Sequence, residues 1–153
     1  MYKLMCFFIF IVSPLQANAG AWGVGAFEND TALDWLSEGG SSENSLLFLQ
    51  SAIDAPVRGG FIDSDICSSA IAAAELVAII FSAPYKKYDK EIVGFASKLK
   101  PHLSVEAVPR ARKAVAICAG ESGSELKQLW GESKEWSGYI DELQLRLKSA
   151  LNK

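Results

Sequence analysis

The stretch DSDICSSAIAAAELVAIIFSA, residues 63 to 83, constrains the fold more than any other part of the chain. Ile66, Ala70, Ala73, Ala74, Val77, Ile80 and Phe81 leave almost no polar face in its second half. A helix that is apolar all round must be enclosed by other elements. Its alanine run lets neighbouring helices approach closely. Asp63 or Ser64 is the expected N-cap. Within this run stands one acid, Glu75, with apolar residues for more than a turn on either side. An ionised carboxylate in such a place is costly unless it is paired or hydrogen-bonded, so Glu75 needs a partner.

Six further segments carry helical signals. NDTALDWL offers Asn29 or Asp30 as N-cap, sets Leu33 and Leu36 on one face beside Trp35, and is expected to stop at the paired glycines of EGGSS. SENSLLFLQSAIDA, capped by Ser42, places Leu46, Leu49 and Ile53 at helical spacing and ends before Pro56. KEIVGFASKL, SVEAVPRARKAVAICA and GSELKQLW follow, each shorter than the central segment, and in the second of these Ser104 is the expected cap while Pro109 falls close to the start. The closing segment lines up Trp136, Ile140, Leu143, Leu147 and Leu151 against charged residues, as an amphipathic packing helix does. No alternating β-branched segment competes. The chain is expected to be all-α: a compact single-domain bundle of six or seven short helices around the central Ala-rich helix.

The first 19 residues, MYKLMCFFIFIVSPLQANA, read differently. Lys3, an apolar run from Leu4 to Val12, Pro14 and the exit Ala17-Asn18-Ala19 form a secretory signal peptide, and the run is far shorter than the roughly 20 residues of a membrane span. Cys6 lies inside the apolar core and Gly20 follows the cut, so no lipid-anchoring Cys is in place. Cleavage after Ala19 would leave a single domain of 134 residues and move the formal net charge from −3 to −4. A periplasmic or secreted location follows, without membrane attachment after cleavage. With PYKKYDK as the densest basic patch, nucleic acid is a poor partner. Cys67 and Cys118 survive cleavage, 51 positions apart. They are either a disulfide, permitted by an oxidising compartment, or two buried thiols.

No enzyme signature is present. His102 sits in a turn beside Pro101, no Cys/His/carboxylate set has zinc spacing, and the GVG after Trp22 follows no strand and is too short to cradle phosphate. No cofactor or metal is expected, and no catalytic residue is assigned. What remains is a binding constellation in the opening stretch GAWGVGAFENDTALDWL. Trp22 and Phe27 would expose much apolar area if the segment were loose. The expectation is that it folds over the central helix, with Glu75, Asp34 or Asp30 accepting hydrogen bonds from the Gly20 amine or the Trp22 indole. Gly20, Trp22, Glu28, Asp30, Asp34 and Glu75 are thus the candidate site residues, either as a buried network that fixes the fold or as a ligand site.

That opening block, together with AAAELVA, SELKQLWGES and the closing Trp and Leu helix, resembles the domain of unknown function 4259 family. The resemblance spans residues 20 to 151 and includes Trp22, Gly23, Phe27, Glu28, Asn29, Asp30, Asp34, Trp35 and Glu75; Ala26 stands where Pro is common, and the EGG after the first helix departs from the usual continuation. Many members carry the block directly after the initiator Met, so here the signal cut would recreate a Gly-first terminus. The family has no established activity, so the resemblance implies no substrate.

Three functions fit these features. One is an exported non-catalytic binding or interaction protein with a protein partner, in one form an immunity-type protein that neutralises a toxin. The second is a carboxylate-dependent hydrolase pairing two of Glu28, Asp30, Asp34 and Glu75, and the third a structural or assembly protein. Oligomeric state is left open. Intact-mass measurement of the exported protein should find a chain that starts at Gly20; a start at any other residue removes the signal-peptide assignment.

Overall fold

The computed structural model of the chain describes residues 21–82, 87–120 and 123–152. Its helices are α1 (Asp30–Ser41), α2 (Ser45–Asp54), α3 (Ser64–Phe81), α4 (Lys90–Leu99), α5 (Ala107–Cys118), α6 (Glu125–Trp130) and α7 (Lys134–Ala150), with a 3-10 turn at Ala55–Arg58 after α2. The chain is all-α, and the described residues hold no strand, only two isolated bridges that pair Ala21 with Asn29 and Ile62 with Ser124. The apolar helix α3 lies at the centre: every other helix touches it, and its residues from Ala70 to Ala78 are all buried. By length and composition α3 would suit a membrane span, but in this fold the surrounding helices supply its apolar environment.

Burial follows the helical period with local shifts. In α1, Ala32, Trp35 and Leu36 face inward, whereas Leu33 is 37% exposed. Trp35 stacks on Phe48 of α2 and leans on Phe95 of α4, with ring centroids 5.5 and 6.0 Å apart. In α7 the inward stripe holds Trp136, Tyr139, Ile140, Leu143, Arg146, Leu147 and Ala150, and Leu151 falls outside it. Ile66, expected among the inward residues of α3, is also partly exposed, because it belongs to the first turn, ahead of the enclosed segment.

The helix ends show where local signals yield to tertiary ones. Asn29 caps α1 as expected, its Oδ1 accepting from Ala32 N at 2.8 Å. Helix α1 does not stop at its glycines but runs through both to Ser41. Gly39 is buried against two rings there, and the free carbonyls at the helix end are taken by other groups. Lys98 Nζ of α4 donates to the Gly40 and Ser42 carbonyls at 2.9 and 3.0 Å, and Ser45 Oγ donates to the Gly39 carbonyl at 3.0 Å. A cation at a helix C-terminus is also favoured by the dipole. The cap of α2 is Asn44 rather than Ser42, which instead accepts from Asn44 N. Neither Asp63 nor Ser64 caps α3 through its side chain; Glu125 of α6 does so, its Oε2 accepting from Ser64 N at 2.8 Å. Helix α5 starts at Ala107, so Pro109 falls in the first turn, where a missing N–H leaves no helical bond unmade. Ser104 acts one step earlier, accepting from Glu106 N.

Cys67 of α3 and Cys118 of α5 form a disulfide, with Cα atoms 5.4 Å apart. A cross-link across 51 positions restricts the unfolded chain by about 4 kcal/mol in the chain-entropy picture. Beside it the buried Ser124 donates to the Cys118 carbonyl at 2.8 Å and accepts from Lys127 N at 3.2 Å, capping α6. The start of α3, the end of α5 and the start of α6 are thereby tied at one place.

The two glycines of α1 give a paired test. A Cβ on Gly39 would lie 2.7 Å from the Phe95 ring and 2.8 Å from that of Phe48, whereas nothing lies within 4 Å of one on Gly40. Gly39→Ala should lower stability by about 1 kcal/mol, since crowding of about 1–3 kcal/mol outweighs a gain in helix propensity of about 1 kcal/mol. Gly40→Ala should raise it by up to about 1 kcal/mol. Urea titrations that rank the two the other way would refute this packing.

Candidate functional site

Glu75 lies on the buried middle of α3 with its side chain 1% exposed. The Tyr88 hydroxyl, from the segment just before α4, donates to Oε1. The Tyr139 hydroxyl and Arg146 Nη2, both of α7, donate to Oε2, each at 2.7 Å. Arg146 Nη1 also reaches the Tyr88 hydroxyl oxygen at 3.4 Å. One turn back on α7, Glu142 Oε1 lies 2.7 Å from Arg146 Nε, close enough for an ion pair although the N–H does not point at the oxygen. Two phenols and a guanidinium therefore converge on one carboxylate. Tyr139 and Arg146 can do so together because seven residues span about two helical turns and return to one face.

Burial works against the Arg146 charge, but the hydrogen bond and the attraction of Glu75, helped by Tyr88 and Glu142, hold its pKa above the ordinary arginine value. A raised pKa contributes stability that is complete below the unfolded value and lost only as pH rises through the folded one. For arginine both limits lie far above neutrality. This contribution is therefore constant across the physiological range.

The requirement that Glu75 be partnered is met, but not by the groups expected. The Trp22 side chain is 59% exposed, and its backbone N–H donates to the Glu28 carbonyl at 3.0 Å. Asp30 and Asp34 are exposed on α1, Glu28 is partly buried in the loop before it, and none of the three bonds to Glu75. Gly20 lies outside the described residues. The physical reason lies in donor supply: three side-chain donors, one of them charged, reach Glu75 from α7 and the approach to α4. Tyr88, Tyr139 and Arg146 are the residues that sequence reasoning passed over. A signal was present, since Tyr139, Leu143, Arg146 and Leu147 recur at helical spacing, and an Arg within an apolar stripe is the natural counterpart of an acid within an apolar helix.

The opening loop has its own architecture. Ala21 pairs with Asn29, Glu28 N donates to the Gly25 carbonyl at 3.0 Å, and Glu28 Oε2 accepts from Gly25 N at 2.9 Å. The Glu28 side chain folds back so tightly that a Cβ on Gly23 would come within 2.1 Å of its Oε2. Glycine there is a consequence of that acid. The loop lies over α3 at Ser68 and Ile71 and against Leu126, Trp130 and Trp136, around a cavity of about 30 Å³, room for one or two waters. It does fold onto the central helix, one to two turns short of Glu75. Trp130 and Trp136 stack nearly parallel behind it at 6.3 Å.

The family described as a domain of unknown function (DUF4259) matches residues 20–139. The chain belongs to that family. No curated protein and no solved structure matches it. The matched segment holds the opening loop, Glu75, Tyr88 and Tyr139, and ends before Glu142 and Arg146. The carboxylate and both phenols of the Glu75 network thus lie inside the family segment, and its guanidinium lies beyond.

As chemistry, the network holds a carboxylate rather than offers it: acid/base work needs an oxygen within reach of a substrate, and both oxygens of Glu75 are occupied by protein donors. Among the described residues no three His, Cys, Asp or Glu side chains gather as a metal site would require. His102 is exposed.

Breaking one side of a buried pair costs more than removing both. Arg146→Met should destabilise by about 3–5 kcal/mol, because Glu75 is left without its cation. The double variant Glu75→Leu/Arg146→Met should recover at least half of that loss in urea unfolding. A double variant no better than the single one would show that the pair is not the source of the cost.

Proposed function

We propose that this protein is exported, trimmed to Gly20, and acts in the cell envelope as a non-catalytic binding protein with Trp22 as the anchor of its partner contact. The observation that carries the reading is the presentation of Trp22. The loop around it is braced by the Glu28 and Asn29 side chains and packed on three helices, yet the ring itself is left 59% exposed. A large aromatic on a braced loop contributes little to its own domain and loses little conformational entropy on contact. Tryptophan is prominent among residues that dominate protein interfaces. An immunity-type role is one form of this reading and suits a small acidic chain.

The start of the family segment at residue 20 supports the trimming step, since residues 1–19 fall outside it. The disulfide supports export, because such links persist in oxidising compartments. The closed setting of Glu75 weighs against the hydrolase alternative, which needs that carboxylate open and paired with a second.

The test is capture from the organism's own envelope fraction with the chain from Gly20 onward, read by mass spectrometry and run beside Trp22→Ala. The wild type should retain a reproducible partner, and the variant should lose it by at least about tenfold while its stability stays within about 0.5 kcal/mol of wild type. Absence of any reproducible partner, or equal retention by the variant, would overturn the proposal.

A further inference from the structure

The groove between α5 and α7 carries two adjacent cations, Arg112 and Lys113. It is lined by Pro109, Arg112, Lys113 and Ala116 of α5 and by Ile140 and Gln144 of α7, with a volume of about 590 Å³ open to solvent. The α5 residues follow an i, i+3, i+4, i+7 pattern, one helix face about 10 Å long. The groove is shallow and widely open to solvent.

Four other cations of this chain have structural duties. Arg110 pairs with Asp54, Arg146 with Glu75, Lys98 closes α1, and Lys127 donates to the Gly131 carbonyl. Among the described residues, neither Arg112 nor Lys113 forms an ion pair. In a chain of net negative charge, Arg112 and Lys113 set two adjacent cations beside apolar side chains.

Arg112 is also oriented. Its Nε donates to Gln144 Oε1 at 3.3 Å, while Gln144 Nε2 donates to the Arg112 backbone carbonyl at 2.9 Å. This reciprocal clamp across the helix seam restrains the guanidinium and leaves its two terminal nitrogens without a protein partner. Two such N–H groups side by side match the two oxygens of a carboxylate. Pro109, Ala116 and the edge of Ile140 then offer apolar surface beside the charged end.

We propose that this groove binds a small amphiphilic carboxylate, with its head on Arg112 and Lys113 and its apolar body along Pro109, Ala116 and Ile140. The site does not depend on a protein partner at Trp22. A purely inorganic anion would leave the apolar floor uncovered, and a neutral amphiphile would leave the clamped guanidinium unanswered.

The experiment is an NMR titration of the folded, disulfide-linked protein with sodium octanoate, beside 1-octanol and inorganic phosphate. Octanoate should give saturable shifts at Arg112, Ala116 and Ile140, and the other two should bind at least about tenfold more weakly. Arg112→Gln, compared at a temperature where urea unfolding shows it fully folded, should weaken octanoate by about tenfold or more, the loss expected for a charge-assisted hydrogen-bond pair. Four results would each overturn the proposal: no saturable shift up to about 10 mM, octanoate affinity unchanged in Arg112→Gln, octanol binding as well as octanoate, or phosphate binding as well as octanoate.

Discussion

The structure depends on how one carboxylate is kept inside an apolar helix. Removing a carboxylate from water costs several kcal/mol even after relaxation, and the cost is offset only by close, well-directed donors. At Glu75 those donors come from two directions. Tyr139 and Arg146 arrive from α7, and Tyr88 from the segment before α4. Hydrophobic packing alone would leave α7 free to slide or rotate on the smooth alanine surface of α3, since the apolar term has no direction. A carboxylate that takes two donors from one side of α7 removes that freedom. It selects one rotation and one register.

The other end of α3 is held by different means. The disulfide, the Ser124 hydrogen bonds and the Glu125 cap gather α3, α5 and α6 within a few residues of one another. These interactions are covalent or made to backbone groups, so they fasten chain ends rather than choose a face. The division suits the sequence of α3, whose first turns carry Asp65, Cys67 and Ser68 while its middle offers only Glu75 as a polar handle. The opening loop covers the interval between the two anchorages, over Ser68 and Ile71.

Much of this was legible in the residues. The seven helical segments, the centrality of α3 and the need for a partner at Glu75 follow from periodicity and from the cost of burying charge. Three features did not follow, each because a distant residue outweighed a local rule. Paired glycines ordinarily end a helix, but Phe48 and Phe95 require a residue without a side chain at 39, and Lys98 closes the end beyond it. Serines and aspartates near helix starts ordinarily cap them, but Glu125 reaches Ser64 N across 61 positions. Glu75 finds its cation 71 positions away, where the only hint was an Arg within the apolar stripe of α7. The Gly-rich opening was legible as a bound segment, yet its glycines serve the neighbouring Glu28 rather than the central acid.

These assignments bear on where function resides. An acid within an apolar helix invites a catalytic interpretation because perturbed carboxylates gather at active sites, yet structural ion pairs create the same pattern. The difference lies in what the oxygens face. Here they face two phenols and a guanidinium, so nothing is left for a substrate to meet without first breaking an interaction that orders the bundle. A protein whose strongest internal electrostatics are committed to its architecture must do its chemistry or recognition with what the architecture leaves over. Among the described residues that remainder includes an aromatic side chain displayed by a braced loop and two cations beside a groove, both on the outside. Rigid support with groups left at the surface is the physical consequence of committing Glu75 to the interior.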